Sequence, residues 1–271
     1  MKILLFGSYG LVGSSIKKEC EERGMTLICP SHNELDVTNT KHIFDFIYNN
    51  KPDVVINSAA IVGKKACLNN KDLAYKVNAE AVRNLADICN KMDILLTQIS
   101  STSVFSNRIK YCFENTIRNP SSFYGRTKYL PEIYIQNNCP KHHIIRLPMI
   151  FGGNRFGKLD SLIKNLRDGN PTRIATDKVQ TYGYTKDVAV KIVDLIESDG
   201  NYGTFHVGNK GASSLYTFMK EVRKYCENPG ELIKAKCEDF GDTPGKSILC
   251  SLTTNDLPHW KRAVKAYMTQ K

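Results

Sequence analysis

Several things are scarce in this chain of 271 residues. No stretch of apolar residues approaches the roughly 20 that a membrane-spanning helix needs. The opening Met-Lys-Ile-Leu-Leu-Phe run is also too short for a secretion signal, so the sequence predicts a cytoplasmic protein. No two of the nine cysteines form a CxxC pair, and their odd number speaks against a disulfide framework. Reduced thiols serving as small core residues are expected instead. No cluster has metal-ligand spacing: His142 and His143 are neighbours on an expected strand and point to opposite faces. The net charge is +11, yet basic residues come only as doublets such as Lys17-Lys18 and Lys64-Lys65, without interleaved aromatics. Nucleic-acid binding is therefore not expected. A positive field does suit a polyanionic small molecule such as a dinucleotide or a nucleotide sugar.

What is present alternates. Residues 2–6 form an apolar run fit for a strand buried on both faces, followed by Gly7-Ser8-Tyr9-Gly10-Leu11-Val12-Gly13 and an amphipathic helix. Gly7 allows a tight turn, Gly10 lets a pyrophosphate approach the backbone, and Gly13 lets helix pack on strand. The helix N-terminus supplies free N–H groups. Further strands are expected at 26–29, 52–56, 94–99 and 143–147, with helices between them. One such helix should cover about 72–89 with Asn78 inside it. This alternation predicts an α/β fold, a doubly wound parallel sheet over residues 1–152. A smaller substrate-binding part should follow over 153–271, with the helix near 185–197 returning to the sheet.

The second strand has no carboxylate at its end to hold the ribose hydroxyls of NAD. Pro30-Ser31-His32-Asn33 stands there instead, and Ser31 and His32 suit a 2′-phosphate, so NADPH is preferred and NADH kept open. Asn57-Ser58-Ala59-Ala60 offers small side chains beside which a cofactor can lie.

Tyr124 and Lys128 stand four apart and so on one helix face, after the hydroxyl pair Ser100-Ser101 at a strand end. A cation about 4 Å from a phenol favours phenolate by roughly 4 kcal/mol at an effective dielectric near 20, which brings the Tyr toward proton transfer at neutral pH. Spacing alone does not single this pair out. Tyr182/Lys186, Tyr216/Lys220 and Tyr267/Lys271 repeat it, and Ser100 competes with Ser101 for the role of hydroxyl donor.

With the glycine turn, Leu35-Asp36-Val37-Thr38, Asn57-Ser58-Ala59-Ala60, Ser-Ser and Tyr-x-x-x-Lys in order, the chain resembles the extended short-chain dehydrogenase/reductases. Within them it is most similar to the dTDP-4-dehydrorhamnose reductase family, densely over 1–150 and thinly beyond. GDP-fucose synthases and plant-type epimerase-reductases share the scaffold. The resemblance implies Ser101, Tyr124 and Lys128 as catalytic residues, the loop from Gly7 to Gly13 under the pyrophosphate, and Asp36 and Val37 at the adenine end. It also implies Ser58, Ala59 and Ala60 along the cofactor, and Arg146-Leu147-Pro148 leading to the nicotinamide pocket.

The family usually has Asp-Tyr after the catalytic hydroxyl, facing the sugar. Thr102 and Ser103 stand there, and Ser103 lacks the thiol that epimerising relatives use. Cys67 falls at a commonly Cys position near the site, where packing is the favoured role. Two later family motifs are rewritten, at 177–183 and 243–247. The function implied is reduction of the 4-keto group of a nucleotide-linked 4-keto-6-deoxyhexose. The alternatives are a bifunctional 3,5-epimerase/4-reductase acting on a UDP- or GDP-sugar, with Cys67, Lys65 or His206 as loose candidates, and a non-catalytic NADP-binding regulatory subunit. A homodimer is left open.

Overall fold

A computed structural model describes residues 1–106, 109–153, 157–198, 200–251 and 256–270. The chain forms two compact units, one of Met1–Ser106, Ile117–Arg146 and Ala189–Phe205, the other of Asn107–Thr116, Leu147–Val188 and His206–Lys271. The boundary thus falls at Arg146 rather than at 152, and a segment inside the first half belongs to the second unit.

The first unit is built on a six-stranded sheet of β1 (Lys2–Phe6), β2 (Thr26–Ile28), β3 (Val54–Asn57), β4 (Leu95–Ser101), β5 (His142–Leu147) and β6 (Gly203–His206). Its order is β6-β5-β4-β3-β1-β2. The β2–β1, β1–β3 and β3–β4 pairs are parallel. The chain leaves β1 toward one edge for β2, then returns on the other side of β1 for β3. The carboxyl ends of β1 and β3 therefore flank the crevice where open α/β sheets bind ligands.

The sheet is covered by α1 (Leu11–Glu22), α2 (Thr40–Asn50), α3 (Ala81–Lys91), α4 (Phe123–Asn138) and α5 (Thr185–Glu197). Alternate residues of the strands go to opposite faces. Leu4, Phe6, Val55 and Leu96 pack with Ile43 and Ile47 of α2, Val82 and Leu85 of α3 and Ile135 of α4. Across the unit, Arg23 at the end of α1 clamps α5: Nη2 lies 2.8 Å from Asp194 Oδ1, and Nε donates to Glu19 Oε1 at 2.8 Å.

The helix expected over 72–89 is interrupted. Lys71–Tyr75 is α-helical, Lys76–Glu80 forms a π turn, and α3 follows directly. Asn78 lies in that wide turn, fully buried, because its side chain has work elsewhere. It accepts from Ile61 N–H at 2.8 Å, donates to Ile61 C=O at 2.9 Å and donates to Thr127 Oγ1 at 3.1 Å. One amide thus ties the loop after β3 to α4.

The second unit has its own core of Phe151, Ile163, Tyr182, Phe218 and Trp260 with their neighbours. Its strands are short. Thr172–Ala175 pairs with Leu232–Ala235, and Lys178–Gln180 pairs with Gly245–Leu249, which also takes Tyr111–Cys112. The two rewritten motif segments of the sequence are therefore parallel neighbours, joined also by Lys178 Nζ to Asp242 Oδ2 at 2.6 Å.

Candidate active site

The glycine loop is shaped by contacts that exclude side chains. Gly7 has φ +73°, and a Cβ there would sit 2.7 Å from the Ala59 nitrogen. A Cβ on Gly13 would fall 2.1 Å from Gly7 O and 2.6 Å from Ser58 Oγ, so α1 can lie this close to β1 and β3 only without one. Ser58 Oγ donates to Phe6 O at 2.7 Å, closing the turn from the other side. The N-cap of α1 is Gly10, which has no side chain to satisfy the first N–H groups, and the first turn carries no acid. Those donors and the positive end of the helix remain for an anion, so this loop fits the pyrophosphate of a dinucleotide.

Around it, Ser8 is buried and Tyr9 is exposed, with Leu11 and Val12 half-buried. Ala59 packs on the core beside β1, and Ala60 is half-buried. At the end of β2, His32 is exposed on the loop. The Glu34 carboxylate accepts the Ser31 N–H at 2.7 Å, so this nearest acid caps its own turn. Asp36 Oδ1 accepts from Thr38 N–H and Thr38 Oγ1, both at 2.9 Å; these bonds, the backbone one first, hold its carboxyl low. The Val37 side chain is buried in the sheet core, so its backbone is the part that can face a ligand.

Ser100 and Ser101 end β4, on the same carboxyl edge as Gly7. Parallel neighbours stand about 4.8 Å apart, so β1 and β4 are separated by roughly 10 Å. Alternation sends the two hydroxyls opposite ways. Ser100 is buried and donates to Glu132 Oε1, which removes it as the competing donor. Ser101 is half-buried; its Oγ accepts the Ser103 N–H at 3.1 Å, donates to Ser103 Oγ at 3.2 Å and lies near enough to the Tyr124 phenol to lower it. It therefore caps the Thr102–Val104 turn and faces Tyr124 at once. Thr102 is half-buried beside it.

Tyr124 is set against Ser101 by its neighbour. Ser122 caps α4 by accepting the Gly125 N–H at 3.0 Å. A Cβ on Gly125 would meet Ser103 O at 2.2 Å, so only glycine lets the start of α4 rest on the serine turn. One turn on, Lys128 is buried. The look-alike pairs are not of this kind. Tyr182 is a buried strand residue whose hydroxyl donates to Ser213 O at 3.2 Å. Tyr216 stacks with Lys234, 5.7 Å from its ring centre, and Lys271 lies outside the described residues.

The electrostatics differ from the simple expectation of a phenol lowered by its lysine. Although the Tyr124 ring is partly open to solvent, burial pushes its hydroxyl up to about 12, opposed by the nearby Ser101 hydroxyl. Burial brings the Lys128 ammonium down to about 8, opposed by Glu132 and by Cys67. Desolvation penalises the charged form of each group and is the largest influence on both. The result is a phenol that keeps its proton until a ligand changes its surroundings.

Cys67 is close enough to act electrostatically on both Tyr124 and Lys128. It is buried, donates to Ile61 O at 3.2 Å, and its thiol is raised by that burial. This is the packing role. Two residues of the segment placed by resemblance on the way to the nicotinamide are enclosed. Arg146 is fully buried and forked onto Glu132, with Nη2 2.8 Å from Oε2, and Leu147 is buried at the end of β5. Sequence reasoning missed Glu132, Asn78 and Gly125. Only the spacing of Glu132, four residues beyond Lys128, could have drawn attention to it.

A sequence model described as the RmlD substrate binding domain matches residues 1–271. The chain belongs to that family. Among similar proteins of the family's kind, the spore coat polysaccharide biosynthesis protein SpsK of Bacillus subtilis is 22% identical, over 100% of this chain and 98% of its own. A dTDP-4-dehydrorhamnose reductase structure from Clostridium acetobutylicum is 31% identical, with a TM-score of 0.92 over 99% of this chain and 98% of that one. The dTDP-4-dehydrorhamnose reductase of Bacillus anthracis, solved in complex with NADP, superposes with a TM-score of 0.92 at 24% identity, over 100% and 99% of the two chains. The family's parallel-sheet α/β fold is the one described above. Among the described residues no group of three or more His, Cys, Asp or Glu side chains could hold a metal, and no helix is long and apolar enough to cross a membrane.

Proposed function

We propose that the protein is an NAD(P)-dependent oxidoreductase that reduces the 4-keto group of a nucleotide-linked 4-keto-6-deoxyhexose, of the kind that dTDP-4-dehydrorhamnose represents. The observation that carries this reading is Ser101 beside Tyr124 where the start of α4 rests on the serine turn, with Lys128 buried one turn on, while Ser100 is drawn off by Glu132. The reductase name of the 31%-identical structure supports the substrate class. NADPH is the favoured cofactor. His32 and Ser31 lie on the loop after β2, Glu34 is occupied in its own turn, and the Bacillus anthracis relative was solved with NADP.

When bound, a reduced nicotinamide would supply the hydride that the ketone carbon receives. Tyr124 Oη gives its proton to the ketone oxygen as charge develops there, and Ser101 Oγ turns its donor to the same oxygen. A preorganised donor of this sort is worth about 3–4 kcal/mol of barrier. The raised phenol is suited to this direction, since it holds its proton at rest and releases it to a stronger base. Lys128 supplies the positive charge that stabilises the phenolate left behind and a donor for the nicotinamide ribose. The Gly10 turn and the α1 terminus would hold the pyrophosphate. Cys67, buried and raised, is a poor base, which weighs against epimerisation by that thiol.

The test is NADPH consumption, compared with NADH, over a panel of dTDP-, UDP- and GDP-4-keto-6-deoxyhexoses. Turnover of at least one of them is expected, with Tyr124→Phe binding NADPH normally and losing at least a thousandfold in kcat. Near-normal turnover by Tyr124→Phe would sink the assignment.

A further inference from the structure

Beneath the reacting groups lies a cluster that this chemistry does not use. Glu132 is one turn beyond Lys128 on α4, and its side chain is fully buried. Its Oε1 accepts from Ser100 Oγ and from Arg146 Nε at 3.1 Å. Its Oε2 accepts from Arg146 Nη2 at 2.8 Å and from Arg118 Nη1 at 3.1 Å. Arg146 is wholly enclosed, with the Phe105 ring 5.0 Å from its guanidinium carbon, whereas the Arg118 side chain is 20% exposed and lies over Tyr129. One carboxylate therefore joins two guanidiniums, one helical turn from the buried ammonium of Lys128, on which it acts electrostatically.

We propose that Glu132 is a positioning residue of the active site: its carboxylate, fixed by Ser100, Arg146 and Arg118, keeps Lys128 charged from one helical turn away. A carboxylate in a dry interior has a long reach, because little water screens it. Three cations enclosed together without it would repel, and only the lysine can relieve that repulsion by giving up its proton, since a guanidinium holds its own. The other groups near Lys128 do not substitute. Tyr124 and Cys67 are neutral at rest, both raised by burial. Lys64, Lys65, Lys71, Asp72, Lys76 and Glu80 on the neighbouring helices are exposed, and Asp87 accepts from the Tyr134 hydroxyl at 2.6 Å. Ser100 adds a strand-to-helix strap that keeps the carboxylate at one distance from the ammonium while presenting Ser101 on the opposite face of β4.

The consequence for turnover rests on the reductase reading; the electrostatic cause rests on this geometry alone. The protein is labelled with ε-13C-lysine, and the Lys128 resonance, assigned by its loss in Lys128→Met, is titrated without cofactor or substrate. Glu132→Gln is expected to move its midpoint down by roughly one pH unit or more. Arg118→Gln, at the more exposed of the two arginines, is expected to move it up. If Glu132→Gln does not fold, the Arg118 variant decides. A midpoint that stays put in Arg118→Gln, or that shifts the same way in both variants, overturns the proposal and leaves Glu132 a structural ion pair. In an active enzyme the high-pH limb of kcat moves with each midpoint. Failure of every sugar in the panel would sink the reductase reading and leave this titration to be judged by itself.

Discussion

At the scale of single residues, burial sets proton affinities here more than neighbouring charge does. His143 shows this away from the site. It is enclosed in β5, its Nε2 faces Asn201 O at 3.0 Å, Thr97 Oγ1 lies 3.4 Å from Nδ1, and the Phe205 ring meets it edge-on at 5.4 Å. A carbonyl can only accept, so Nε2 carries the proton and Nδ1 takes the Thr97 hydroxyl hydrogen. Burial pushes this imidazole down from 6.5 to about 4, against the pull of the Asn201 carbonyl. Because the unfolded chain binds the proton more tightly, His143 contributes stability that is complete above about pH 6.5 and is lost as pH falls toward 4. Up to roughly 3 kcal/mol is at stake over that window. Urea unfolding at about pH 7.5 and 4.5 should show the drop, and His143→Phe should reduce it; an equal drop in the variant would count against this account. The same rule explains why Tyr124 and Lys128, four apart on one helix, do not have the proton affinities that spacing alone suggested. Spacing reports a partner, but desolvation depends on everything else packed around it.

At the scale of elements, the site is made where α4 touches the end of β4. The contact is governed by Gly125, whose missing side chain leaves 2.2 Å between a would-be Cβ and Ser103 O. Gly125→Ala should push the start of α4 off the serine turn and part Tyr124 from Ser101. A misplacement of about 1 Å costs on the order of a hundredfold in rate. Steady-state assays should therefore show kcat falling that far while NADPH affinity, set at the glycine loop, is retained; unchanged kcat would show that the junction adapts. This contact was not legible in the sequence, because Gly125 follows Tyr124 inside a helix and nothing local distinguishes it from a helix-weakening glycine. The glycine turn was legible, since strand, turn and helix are contiguous there. The break at Lys76–Glu80 was not, because Asn78 widens the helix for partners at Ile61 and Thr127. Short strands such as Lys178–Gln180 and Tyr182–Tyr184 were also missed. Three residues carry too little alternation to be read as strands before their partners are known.

At the scale of the whole molecule, the charge of +11 belongs to a protein whose expected substrate and cofactor both carry diphosphates. A positive field gathers such anions from beyond contact distance and is screened over about 10 Å at 0.1 M salt. Raising ionic strength from about 0.05 to 0.5 M should raise KM for the nucleotide sugar several-fold and change kcat little. A KM insensitive to salt would mean that the basic residues act only locally.

The order of elements and the dinucleotide loop are properties of the sequence, because each rests on neighbours within a few positions; Ser101, Tyr124 and Lys128 follow from the sequence only as what the family resemblance implies. Tertiary structure alone decided which serine is free, how the phenol and the ammonium hold their protons, and that Glu132 with its two arginines lies beneath them. Those outcomes depend on strands and helices 14 to 41 residues apart meeting in a dry interior, as Glu132 meets Arg146 and Asn57 meets Gln98. No local pattern encodes such a meeting, and its energetics follow from the exclusion of water.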